Sequence, residues 1–98
     1  MTELRSSATV HTDRSARWIK QLAAHLGRKA EVREEPDGAA LLLIAGGTCR
    51  MSGDDAALHL AASAPDDEAL GRVQDVVGGH LERFASAEGL TVRWERPS

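Results

Sequence analysis

Apolar residues recur along this chain in two rhythms, and the switch between them marks its elements. A spacing of three and four joins Ala16, Ile19, Leu22, Ala23 and Leu26, and again Leu70, Val73, Val77, Leu81 and Phe84. Each set falls on one face of a 3.6-residue helix, so the pattern predicts two amphipathic helices. Thr12 or Asp13 can cap the first, and Gly27, with Arg28 and Lys29 beside it, can end it. Ser63 or Asp66 can cap the second, with Asp67 and Glu68 favourably placed in its first turn.

Between and around the helices the rhythm drops to two. Ser7–Thr12 reads as a first strand because it is short and rich in β-branched residues. Ala30–Glu34, Ala39–Ala45, Thr48–Ser52 and the alternation of Leu58, Leu60 and Ala62 form a meander. Pro36-Asp37-Gly38, Gly46-Gly47 and Gly53-Asp54-Asp55 punctuate it with turns. Leu90, Val92 and Trp94 alternate in a last strand after Gly89. The order along the chain is therefore β-α-β-β-β-β-α-β. It predicts an α+β two-layer sandwich, one mainly antiparallel sheet with both helices on one face. Residues 1–6 are expected to be a disordered terminus and 7–96 a single domain.

Two local features complicate this picture. Leu41-Leu42-Leu43-Ile44 is apolar on both faces, although helices would cover only one. A second subunit or a pocket must account for the other face, and a homodimer is the simpler expectation. Gly78-Gly79 in mid-helix costs about 1 kcal/mol per glycine relative to alanine. A kink, or the close approach of a strand or another subunit, would explain their presence.

Composition narrows the function classes. The 98 residues suffice for one modest core, and with an aromatic share of 3% that core must be built from Leu, Val, Ile and Ala. A single cysteine, Cys49, excludes an intrachain disulfide and a cysteine-based zinc site, which suits a reducing cytoplasm. No apolar run reaches the roughly 18 residues of a membrane span, and no apolar stretch follows Met1–Arg5 as in a signal peptide. The formal net charge is −3, and the basic residues of the first helix are sparse. No nucleic-acid partner is expected from that pattern.

With the elements placed, the chain resembles the bacterial family known as domain of unknown function 2218. Thr12-Asp13-Arg14, Trp18 and Gln21-Leu22 carry the resemblance in the first helix, and Gly47-Thr48-Cys49 in the meander. Val73-Gln74-Asp75-Val76-Val77, His80-Leu81-Glu82-Arg83-Phe84-Ala85 and Leu90-Thr91-Val92-Arg93-Trp94 carry it more specifically, so that about residues 7–95 are covered. The resemblance implies a small α+β domain, with some members beside or fused to siderophore-interacting reductases, and it implies no catalytic residues. Trp18 stands where relatives tend to carry Tyr, which removes a phenolic hydroxyl from that position.

The residues able to carry chemistry are few. His25 and His80 lie on different helices and would converge if these pack side by side, with His11 or Cys49 as further metal ligands. The spacing matches no known ligand motif, and the plainer account gives both imidazoles structural hydrogen bonds. Arg83 could pair with Glu82, and His80 with Asp75 or Glu88; His80 and Arg83 together could instead grip an anionic ligand. Alternation sends Cys49 inward with Met51, as an inert core thiol. Gly46-Gly47 is too short for a phosphate loop, and neither Asp54-Asp55 nor Asp66-Asp67-Glu68 has calcium-loop spacing. Ser52 and Ser63 lie at turns with no imidazole expected nearby, so no serine–histidine–acid set is read.

These observations point to a non-enzymatic cytoplasmic module, expected to be a homodimer, that binds a protein partner or a small ligand and is linked through its resemblance to iron and siderophore metabolism. Its candidate ligand residues are His80, Arg83, His25 and Trp18. The alternative is a metal- or haem-binding domain using His80 with His25, His11 or Cys49. No cofactor is specified by the sequence.

Overall fold

The computed structural model describes residues 3–96. Strand β1 (Leu4–His11) leads into helix α1 (Ser15–Leu26), and strands β2 (Glu31–Glu34), β3 (Ala40–Ile44), β4 (Gly47–Gly53) and β5 (Ala57–Ala64) follow. Helix α2 (Asp67–Phe84) and a short 3-10 turn (Ser86–Glu88) complete the elements. The strands form one open sheet in the order β1-β5-β4-β3-β2, antiparallel at every pairing. This is the expected α+β architecture. The crossing from β1 through α1 to β2 spans the sheet from one edge to the other. The later strands then step back by hairpins until β5 pairs with β1.

Both helices pack on the same face. Ala8 and Val10, Leu58, Leu60 and Ala62, Cys49 and Met51, and Leu42 all point towards them, in register from strand to strand. Leu22 and Leu26 close this core from α1, and Leu70, Val73, Val77 and Leu81 from α2. Complete burial of a leucine side chain contributes roughly 1.5–3 kcal/mol, so these aliphatic residues compensate for the scarcity of rings. Trp18 joins the core at 4% exposure, while Ala16 is exposed, so the buried stripe of α1 is rotated from the one expected.

The chain starts its helices with different devices. Asp66 caps α2 as expected, its carboxylate accepting the Ala69 N–H at 2.8 Å. At α1 the residue before the helix is Arg14, and Thr12 serves from two places earlier by accepting the Arg14 N–H at 3.1 Å. The Ser15 hydroxyl meanwhile donates to the Asp54 carbonyl at 2.8 Å, pinning α1 to the β4–β5 turn.

Two expectations need correction. Strand β1 begins at Leu4, so Leu4–Ser6 belong to the sheet and not to a disordered terminus. For Met1 and Thr2 that expectation lies outside the described residues. The last strand is reduced to an extended segment with one antiparallel bridge, Ser7 to Glu95. Its Val92 N–H is given to the Glu82 carboxylate of α2 at 2.9 Å, which holds the segment against the helix in place of a ladder. Among the described residues no helix is long and apolar enough to cross a membrane.

Candidate functional site

Among the described residues no layer covers the face of the sheet away from the helices, and the strand register sets its side chains in rows. One row runs Glu31, Leu43, Thr48, Ser63, Arg5. The next runs Arg33, Leu41, Arg50, Ala61, Ser7 and, through the bridge, Glu95. Leu41 and Leu43, on the face away from the helices, are nonetheless half-buried. The Thr48 and Ser63 hydroxyls share a hydrogen bond of 2.8 Å between Leu43 and Arg5 of the first row.

Two hollows meet at that hydroxyl pair. One of 650 Å³ lies against the β3–β4 turn and is walled by Leu43, Ile44, Ala45 and Pro65, with Glu3 also in its lining. The other, of 530 Å³, lies over Ser7 and Ala61 and is rimmed by Arg5, Arg50, Arg96 and Glu95. Thr48 and Ser63 line both. Arg50 is held by Glu35 at 2.9 Å and Asp37 at 3.7 Å, and Arg96 pairs with Asp67. Among the described residues Arg5 makes no ion pair.

The turn beside the first hollow has an unusual backbone. Ala45 and Gly46 link the strands with φ of 55° and 84°, the double positive φ of a type I′ hairpin. Glycine accepts this conformation freely, but alanine carries a Cβ penalty there. Strained residues of this kind cluster at ligand clamps and active sites.

Of the residues singled out by sequence, the structure brings His25 and His80 together. Their ring centroids are 5.0 Å apart with the planes tilted by 47°, and Phe84 sits edge-on to His25 at 5.2 Å. His80 Nδ1 lies 2.6 Å from the Val76 carbonyl, in place of the expected Asp75 or Glu88. Glu88 pairs instead with Arg14 at 3.6 Å. Arg83 is exposed, and Glu82 turns to Val92 and not to it. Trp18 is part of the core, its indole N–H donating to the Thr12 hydroxyl at 3.3 Å.

His11 and Cys49 stand apart from that pair. His11 is exposed on the uncovered face, on the opposite side of the sheet from the helices. Cys49 is fully buried on β4, and desolvation pushes its thiol pKa up to about 12, with a hydrogen bond at Ala61 only partly offsetting the rise. Among the described residues no three His, Cys, Asp or Glu converge as a metal cluster.

The sequence reading also missed an imidazole near Ser52. His59 lies directly across from it in register, and His59 Nε2 is 3.4 Å from Asp54 Oδ2. Asp54 accepts the Ala56 and Ala57 N–H groups, which with His59 hold its carboxyl below the usual range. No hydrogen bond joins the Ser52 hydroxyl to the ring among the described residues, and the His59 and Asp54 side chains are 47% and 62% exposed. The set lacks the buried, aligned chain of hydrogen bonds that activates a serine.

A family model described as "Uncharacterized protein conserved in bacteria (DUF2218)" matches residues 7–95. Among solved structures, the NMR structure of PA4090 from Pseudomonas aeruginosa is similar at a TM-score of 0.77 and 29% identity, over 94% of this chain and 95% of that one. A search of curated proteins finds no match.

Proposed function

The chain belongs to the bacterial family of uncharacterized proteins DUF2218, and within it we propose that this protein is a non-enzymatic binding module whose uncovered sheet face receives a small amphipathic anion. The observation that carries the reading is the part of the first row from Leu43 through Thr48 and Ser63 to Arg5, inside Glu31 at the far edge, which grades from apolar through hydroxyl to cationic. Ligand sites are typically concave and mostly apolar, with a few placed polar groups, and the two joined hollows have that composition. An apolar body would lie against Leu43, Ile44 and Pro65. A carboxylate or phosphate at its end would reach Arg5, whose planar guanidinium can hold two oxygens at once. Leu43 and Arg5 are three strand spacings apart, roughly 14 Å, which suits a medium-chain acid.

The reading is non-enzymatic because the grading supplies shape and charge without an activated nucleophile. The link to siderophore-interacting reductases implied by the family resemblance would make such a ligand, or a protein partner, part of iron handling. A second copy of the chain across the same face is the second reading, favoured by the outward-facing Leu41 and Leu43. The charged neighbours Arg33, Arg50, Glu31 and Glu35 weigh against a dry interface, since interface cores are depleted in charge.

Isothermal titration with sodium decanoate tests the first reading. Saturable binding of one anion per chain is expected, weakened about tenfold in Arg5→Ala as a charge-assisted contact is lost. Absence of saturable binding, together with a dimer that Leu41→Asp dissociates, would favour the second copy instead.

A further inference from the structure

The pair of imidazoles between the helices belongs to neither hollow. His25 lies near the end of α1 and is exposed; His80 is half-buried on α2. Val76 O can only accept a hydrogen bond, so the 2.6 Å contact means that His80 Nδ1 carries the ring proton. In the neutral ring the lone pair then lies on Nε2. Metal-binding histidines are commonly fixed in this way, one ring nitrogen tied to a backbone carbonyl and the other free to ligate.

The spacing also fits. With metal–nitrogen bonds of about 2.0–2.1 Å, two imidazoles sharing one ion at adjacent positions hold their centroids roughly 4.5–5.5 Å apart. The observed separation is 5.0 Å. Phe84, 5.2 Å from His25 and 6.1 Å from His80, walls one side of the pair and restricts both rings. The two helices are anchored on one sheet, so the two rings are already neighbours before any ion arrives, which reduces the ordering cost of binding.

We propose that His25 and His80 together bind one late first-row divalent ion, with copper(II), nickel(II) or zinc(II) as the class that imidazole prefers. The two imidazoles occupy adjacent coordination positions and water completes the shell, since no third protein ligand converges among the described residues. Such a site is open and exchangeable. It suits reversible loading or transfer of an ion better than permanent structural retention, because closed structural sites use four protein ligands.

Calorimetric titration with zinc chloride in a non-chelating buffer tests the site, using the whole chain and its His25→Ala, His80→Ala and His59→Ala variants. The expected result is saturable binding of one ion per chain, weakened about tenfold or more by either of the first two substitutions and unchanged by the third. His59→Ala controls for the exposed imidazole beside Asp54, and His25 is exposed, so its variant should fold. In parallel, nitrogen-15 spectra of the histidine rings should show zinc moving His80 Nε2 while Nδ1 stays protonated. Absence of saturable binding, equal binding in all variants, or loss confined to His59→Ala would overturn the proposal.

Discussion

Gly78 approaches Trp94 so closely that a Cβ added to it would lie 3.0 Å from the indole Nε1, with Val92 Cβ and Cγ1 at 3.6 Å. The next residue, Gly79, has nothing within 4 Å of the same construction. Adjacent glycines in one helix thus have different reasons to exist. Gly78 admits the C-terminal segment against α2; Gly79 faces open space.

Substitutions at the two positions should therefore have opposite signs. Gly79→Ala should raise stability by about 1 kcal/mol, the helix-propensity difference. Gly78→Ala should lower it by about 1–2 kcal/mol, because overpacking against Trp94 and Val92 exceeds the propensity gain. Chemical denaturation of both variants checks this. The Trp94 indole N–H resonance should move in Gly78→Ala and stay in place in Gly79→Ala.

Cys49 gives a prediction for alkaline pH. Its folded pKa of about 12 lies above the ordinary thiol value of 9.0, so between those values the unfolded chain loses a proton that the folded chain keeps. Stability should fall as pH rises through that window, by about 1.4 kcal/mol per unit from this group. Below pH 9 the contribution is constant. Comparing denaturation midpoints of the wild type and Cys49→Val from pH 8 to 10 isolates the slope. The native thiol should also resist alkylation at pH 8.

At the β3–β4 turn, Ala45 is the residue under backbone strain. Ala45→Asn should stabilise the fold by roughly 0.5–1 kcal/mol, since asparagine tolerates the left-handed region that a type I′ turn requires. The urea midpoint would report the change. A fall in stability would mean that the Ala45 methyl is needed by the packing around the hollow.

Much of the fold was legible because both periodicities persist long enough to be unambiguous. Leu70, Val73, Val77 and Leu81 appear in the core as their spacing requires. Failures arose where tertiary partners decided the outcome. Leu90, Val92 and Trp94 alternate like a strand, but Glu82 claims the Val92 N–H and only Glu95 bridges to the sheet. Arg5 looked like part of a loose terminus because Leu4 to Ser6 carry no strong strand signal until β5 pairs with them.

The candidate sites divide along the same line. The approach of His25 to His80 could be stated from sequence, conditional on the helices packing together. The row of Leu43, Thr48, Ser63 and Arg5 could not, since it joins four strands and depends on every register between them. The same dependence hid His59 opposite Ser52. The outward side chains of β3 gave the one early sign that the second face was not uniformly polar.

The most direct measurement is a nitrogen-15 amide spectrum of the protein titrated with sodium decanoate. The account predicts saturable shifts concentrated at Arg5, Leu43, Ala45, Gly46, Thr48 and Ser63, with the exposed faces of α1 and α2 unmoved. Shifts confined to the helices, or none at all up to millimolar decanoate, would contradict the assignment of the uncovered sheet face as the binding surface.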